Sequence, residues 1–383
     1  MAKEQYLFKN SINPQAIKEL GKKIKQNYTN FEERSYNRYI VGKLAPLSLT
    51  ERINLVTDGL YVYLPKDFKR AIKILLASLP SKLPNHSRGI EGYDSSVLNG
   101  LNGFIMVSLT NYVSRYGLDN FNISMSAFHN MTKCFSAEAS IRHFILKYPD
   151  RTLKLFSKWS TDEDMHVRRL VSESTRPRLP WAMQLPDFIK DPNPILPLLE
   201  TLKNDPELYV RRSVANNLND IAKDNPHTVT TLFKKWNDNK SLEMEWLIKH
   251  GLRTLIKQGN PQALQILGFS AKPNVEIKSF RLSKKSIKLG ESLEINLHLI
   301  SSVKKEQPLI IDYRINHLKA NGKLMPKVFK WTKKIISKES PLIISKKHAI
   351  KEISTRKYYS GSHEIEIQIN GKIVGMQKFT LEC

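Results

Sequence analysis

The chain repeats itself, and no other feature of the sequence limits its fold as much. "PDRTLKLFSKW" at 149–159 returns as "PHTVTTLFKKW" at 226–236, matching at Pro, Leu, Phe, Lys and Trp. Between them, "DEDMHVRRLV" (162–171) returns as "DPELYVRRSV" (205–214), 43 residues later. The middle unit therefore begins near Pro192, and units start at 149, 192 and 226 with steps of 43 and 34. A unit this short cannot bury its apolar stripe alone, so neighbouring units must stack.

These step lengths are those of helical-pair repeats of the HEAT type, and the sequence before them also reads as helix. "NPQAIKELGKKIKQNY" offers Asn13 as N-cap, Pro14 at the first helical position, and Ile17, Leu20 and Ile24 on one face. Ser48 stands three residues before Glu51, a capping box, ahead of Leu49, Ile53, Val56 and Leu60 at helical spacing. Phe68, Ile72, Leu75 and Leu79 predict a third helix. Residues 81–100, rich in Pro, Gly, Ser and Asn, read as a long irregular loop.

Near residue 270 the period changes from helical to alternating. "SLEINLHLI", "LIIDYRI" and "EIEIQINGKIVGMQKF" predict strands, with hairpin turns at Asn370-Gly371 and Asn321-Gly322. About seven short strands over 270–383 suggest a β-sandwich. The expected architecture is thus an α-helical HEAT-like repeat solenoid, residues 1–269, followed by an immunoglobulin-like β-sandwich, residues 270–383. Charge now matters. The chain carries 61 Lys and Arg against 36 Asp and Glu, a net +25. Residues 270–383 hold 23 of those cations and 10 of the acids. Such an excess favours a polyanion, and either a nucleic acid or an anionic membrane surface would satisfy it. A lysine-rich surface that only solubilises the sandwich and guards its edge strands is the competing explanation.

Several chemistries have no motif here. There is no GxGxxG or GxxxxGK[ST] nucleotide loop and no HExxH or Cys/His cluster, so neither a cofactor nor a metal is expected. Cys134 and Cys383 form no disulfide framework, and there is no apolar signal core or membrane-spanning stretch. A cytoplasmic protein, acting as a monomer away from the membrane, is expected.

Acids embedded in basic helical segments remain. In "VRRLVSESTRPRLPW" (167–181), Glu173 sits among Arg168, Arg169, Arg176 and Arg178, ahead of Trp181. Glu138 lies in "FSAEASIRHF" and Asp220 in "VRRSVANNLNDIAKD", which also carries Arg211 and Arg212. Each has an ordinary structural explanation. Glu138 could pair with Arg142 on an exposed helix face, and Glu173 could brace Arg169 or Arg176. Asp220 could be a surface residue, and Trp181 could be core like Trp159 and Trp236.

The strings "SAEASIR", "VRRLVSESTRPRLPWA" and "VRRSVANNLNDIAKD", in this order ahead of a basic β-sandwich, resemble the AlkC branch of the AlkC/AlkD family of HEAT-like-repeat DNA glycosylases. The likeness covers nearly the whole chain, and the appended sandwich is what marks that branch. It implies a monofunctional hydrolase that removes cationic alkylated bases from double-stranded DNA, in a bacterial cytoplasm and nucleoid. The substrates implied are 3-methyladenine, 3-methylcytosine and 1-methyladenine. It implies Glu138, Glu173 and Asp220 as catalytic carboxylates and Trp181 as the residue beside the lesion. The expected phosphate contacts are Arg168, Arg169, Arg176, Arg178, Arg211 and Arg212, of which Arg168, Arg169, Arg211 and Arg212 could serve the scaffold instead. Ser174 departs from the glycine that commonly follows the family's glutamate, which would matter if that backbone needed a positive φ. A non-catalytic DNA-binding scaffold and an adaptor for an acidic protein are the alternatives. A pure binder has no use for three acids in its cleft, and salt-dependent duplex binding separates either DNA reading from the adaptor.

Overall fold

The structure is a computed structural model describing residues 8–79, 104–238, 241–337, 341–353 and 356–383. The loop expected at 81–100 lies outside the described residues. The chain forms two compact units, Met1–Asn225 with Ser241–Gly251, and Pro226–Lys240 with Leu252–Cys383.

In the first unit the capping signals act where the sequence puts them. Asn13 accepts a hydrogen bond from the Ala16 amide and starts the Pro14–Asn27 helix, burying Ile17, Leu20 and Ile24. Ser48 and Glu51 close the capping box of the Leu49–Tyr63 helix. Further along, the helices alternate in step with the sequence repeat. Pro149–Trp159 is followed by Met165–Ser174, and Leu196–Leu202 by Leu208–Ile221. Pro226–Asn237, which belongs to the second unit, is followed in sequence by Leu242–Gly251 of the first. The repeated Phe and Trp are buried at the same turns: Phe156 and Trp159, then Phe233 and Trp236. They recur because each first helix needs the same apolar stripe. Of the second helices, Leu208–Ile221 packs against Met165–Ser174 on one side and Leu242–Gly251 on the other. That layer brings together residues more than 40 apart in sequence.

Among the described residues the second unit has eight strands, against the about seven expected. They are β1 (Val275–Leu282), β2 (Ser286–Lys288), β3 (Ser292–Ser301), β4 (Gln307–Leu318), β5 (Leu324–Ile336), β6 (Leu342–Ala349), β7 (Gly361–Ile369) and β8 (Lys372–Glu382). One sheet runs β1-β3-β6 and the other β2-β8-β7-β4-β5. Among the described residues the strand pairings are antiparallel except β2 with β8. The three-residue β2 is the strand with no alternation to read in the sequence. Leu293, Ile295, Leu297 and Leu299 of β3 share one buried core with Ile311 and Ile315 of β4 and Ile365 and Ile367 of β7. At the β7–β8 turn Asn370 and Gly371 have φ 45° and 78°, the two left-handed residues a type I′ turn needs. Gly371 is fixed by contact too: a Cβ there would come within 1.9 Å of Gly259 Cα. The sandwich is joined to its own helical segment where Gln368 Nε2 donates to Lys257 O and Asn370 Nδ2 to Ser270 O.

Candidate active site

Glu173 ends the Met165–Ser174 helix, which starts at an Asp164 N-cap accepting from the His166 and Val167 amides. The residue is only 5% exposed. Oε1 accepts from Arg176 Nη1 at 2.6 Å, and Oε2 accepts from Ser213 Oγ at 2.6 Å. Arg169 Nη2 stands 3.7 Å from Oε1. Burial alone would push this carboxyl up. The Arg169 and Arg176 guanidiniums, with the bonds from Ser213 and Arg176, outweigh burial and hold it below the usual carboxylate value.

The two arginines extend the network in opposite directions. Arg176 Nε donates to Asp220 Oδ2 at 2.8 Å, and Lys223 Nζ donates to Asp220 Oδ1 at 2.7 Å. Asp220 is 1% exposed, because its helix packs against that of Glu173. On the other side, Arg169 Nη1 donates to Glu138 Oε2 at 2.7 Å, the same oxygen that accepts from Ser136 Oγ. Arg169 also lies over the Tyr209 ring, 4.6 Å from its centroid. The three acids suggested by sequence therefore meet in one chain, Glu138–Arg169–Glu173–Arg176–Asp220. Glu138, with a side chain 26% exposed, is the most accessible of them.

Three of the ordinary explanations fail, and one holds. Asp220 is not a surface residue, and Trp181 is 85% exposed rather than core. Arg142 does not lie on an exposed face. It is fully buried and donates to three backbone carbonyls, Met183 O (2.8 Å), Ser174 O and Arg176 O (both 2.7 Å). Glu173 does brace both Arg169 and Arg176. Ser174 is helical, not left-handed, and its Oγ donates to Leu170 O, so serine fits without strain.

The first arginine of the repeated Val-Arg-Arg makes scaffold contacts. Arg168 Nη1 donates to the carbonyls of Asp162 and Glu163, and Arg211 Nη1 to those of Asp205 and Pro206. In both repeats the first arginine folds back onto the loop ahead of its own helix. Arg168 also makes a two-bond pair with Asp205. Arg178, one-third exposed, makes such a pair with Asp224. Arg212 lies on the Leu208–Ile221 helix, partly buried.

Sequence reasoning missed Arg142, Ser213 and Lys223. For Ser213 a signal existed: it replaces the buried Leu170 of the preceding repeat, VRRSV for VRRLV. A hydroxyl is needed there because it donates to Glu173 and accepts from Ser172 Oγ at 2.7 Å. Among the described residues, no three or more His, Cys, Asp or Glu cluster as metal ligands, and no helix is long and apolar enough to cross a membrane.

Comparison with known proteins bears on this geometry. Residues 121–255, which contain the whole carboxylate network, match the family described as DNA alkylation repair enzyme. Residues 276–383 match the C-terminal Ig-like domain of the uncharacterised protein YhaZ. The chain is 34% identical over 369 residues to the uncharacterised protein YhaZ of Bacillus subtilis (strain 168), covering 95% of this chain and 96% of that one. Among solved structures, the alkylpurine DNA glycosylase AlkC of Pseudomonas fluorescens, bound to DNA containing an abasic site analog, superposes with a TM-score of 0.88. The identity is 34%, over 99% of this chain and 100% of that one.

Proposed function

Since the chain belongs to the AlkC-like family of DNA alkylation repair proteins, we propose that it is a monofunctional DNA glycosylase, hydrolysing the N-glycosidic bond of cationic alkylated bases in duplex DNA. The substrates we assign are 3-methyladenine, 3-methylcytosine and 1-methyladenine. The observation that carries this reading is the chain of three carboxylates held in fixed positions by Arg169 and Arg176.

An alkylated base that carries a positive charge is already a good leaving group, so it needs little help from a general acid. As the bond breaks, positive charge develops on the deoxyribose. Preorganised carboxylates stabilise that charge more than they stabilise the ground state. Glu138, the most accessible of the three, is suited to orienting and deprotonating the attacking water. Trp181 offers an exposed indole face to a cationic base or sugar. Lys223, the lysine bonded to Asp220, is engaged in that pair rather than offered as a Schiff-base nucleophile. In this reading the helical repeats form a HEAT-like array over residues 1–269, and the basic sandwich, residues 270–383, grips the phosphate backbone.

Chromatography of the bases released from randomly methylated duplex DNA tests the proposal. Cationic methylated bases should appear without added metal or nucleotide and in the presence of a chelator. Borohydride should trap no covalent protein–DNA adduct. No release beside an active control glycosylase would rule the reading out in favour of a DNA-binding scaffold, which the bracing of Arg169 and Arg176 by Glu173 would serve equally well.

A further inference from the structure

Trp181 has backbone φ 60° and is nevertheless 85% exposed. A left-handed backbone is unfavourable for a bulky side chain and persists only where the surroundings impose it. Two surroundings do so. Arg142 fixes the backbone on both sides of Trp181 through the carbonyls of Ser174, Arg176 and Met183. The indole itself meets the ring of Phe8 edge-on, with centroids 6.0 Å apart and planes at 67°. Phe8 packs on Phe104 at 5.4 Å, and Phe104 on Phe135 at 5.2 Å. A row of rings thus runs outward and ends on Trp181. Phe8, next to that end, is 50% exposed, so half of it is not enclosed by a core.

An exposed indole without a neighbour samples several rotamers and loses that freedom when it binds. A ring edge packed against it removes those rotamers in advance. Cation–π attraction, in turn, requires the cation over the ring face and within about 6 Å of it. We propose that the row Phe135–Phe104–Phe8 is a positioning device for Trp181. It presents one indole face in a fixed orientation to a heteroaromatic cation, and Phe8 is the residue that sets this orientation. The inference rests on the alkylation-repair reading for the identity of that cation, but not for the orientation itself.

The test uses the full chain with Phe8→Ala, Phe8→Leu and Phe8→Tyr. Half-exposure of Phe8 predicts that all three fold with nearly unchanged melting temperatures. Two quantities are read. One is the 19F resonance of Trp181 in 5-fluorotryptophan-labelled protein, assigned by its loss in Trp181→Phe. The other is the single-turnover rate of base release from methylated duplex, alongside affinity for undamaged duplex. Phe8→Ala and Phe8→Leu should shift or broaden the Trp181 resonance and slow release about fivefold to tenfold, the scale of one aromatic contact. Affinity for undamaged DNA should not change, and Phe8→Tyr should restore both quantities. A Phe8→Ala protein with wild-type resonance overturns the proposal. So does full rescue by Phe8→Leu, which would make the contact one of bulk alone, or a shifted resonance with wild-type release. If the wild-type protein releases no base, the glycosylase reading falls by itself. The resonance then decides the positioning role alone, supported by a shift in Phe8→Ala that Phe8→Tyr reverses and overturned by no shift.

Discussion

Glu173 is an acid whose burial and whose partners oppose one another. Taken out of water it would favour its neutral form, yet Arg169, Arg176 and Ser213 keep it ionised. The sign of the resulting linkage follows. The folded carboxyl lies below its ordinary value of 4.5, so its stabilising contribution is present above that value and is lost as pH falls through the lower folded one. Glu173→Gln keeps the shape and removes the charge opposite a developing cation. Excision should fall at least about a hundredfold, the scale for losing one electrostatic partner of a transition state. The same change leaves two buried arginines short of a counter-charge, so the melting temperature should also fall. Breaking a buried pair costs roughly 3–5 kcal/mol when a partner is removed outright. Release must therefore be measured where thermal melting shows the variant fully folded. A loss of activity that only tracks the unfolded fraction would make Glu173 a brace for arginines and nothing more.

At the scale of the element, the Val-Arg-Arg repeat separates into distinct roles. Its first arginine secures the turn into each second helix, as Arg168 and Arg211 do on the two carbonyls five and six residues earlier. Its second, in Arg169, joins the carboxylate chain. Arg178, beyond the helix end, keeps one-third of its side chain in solvent and pairs with the partly exposed Asp224. Different outcomes follow for two similar substitutions. Arg168→Ala should lower the melting temperature and leave the salt dependence of duplex binding unchanged. Arg178→Ala should leave melting nearly unchanged and flatten the dependence by about one phosphate, on damaged and undamaged duplex alike. Fluorescence anisotropy across a salt series measures both, and a flattened slope for Arg168→Ala would return that arginine to the DNA-facing set.

For the molecule as a whole, the basic sandwich adds a pH limit of its own. Burial pushes His317 of β4 down to about 3, with Arg356 adding to it, and pushes His348 of β6 down to about 4, with Arg356 and Lys346 adding. Burial lowers His363 of β7 as well, although its bond to Tyr359 O works the other way. These rings are bonded as neutral partners: Arg356 Nη1 lies 2.8 Å from His317 Nε2, and the Tyr313 hydroxyl 2.8 Å from His348 Nδ1. Each folded value lies below the ordinary 6.5. The stability they contribute is thus complete above 6.5 and drains away as pH falls from there, toward about 4 for His348 and about 3 for His317. Each group that protonates on unfolding contributes a slope of about 1.4 kcal/mol per pH unit. Denaturant unfolding of the second unit at pH 7.5, 6 and 5 should show this fall, and His348→Phe should reduce its slope. A stability that does not change over that range would remove the histidines from the account.

The sequence alone determined those features whose cause lies within a few residues. Asn13 starts a helix because its side chain reaches an amide three residues on, and Glu51 because its carboxylate reaches back to the Ser48 amide three residues before it. Asn370-Gly371 makes its turn because the backbone there must be left-handed. The change of period near residue 270 separated helix from strand, because burial of one face obeys 3.6 in one and 2 in the other. The repeat gave the order of helices, and the family's strings nominated Glu138, Glu173, Asp220 and Trp181. Only the tertiary structure decided what these residues meet. Glu173 and Asp220 are 47 residues apart, and their shared Arg176 exists as a bridge only because two helices pack side by side. Arg142 looked like a surface partner for Glu138, yet it is fully buried and holds backbone carbonyls 32 to 41 residues away. Which of many arginines a carboxylate pairs with is set by long-range packing, and local spacing carries no record of it.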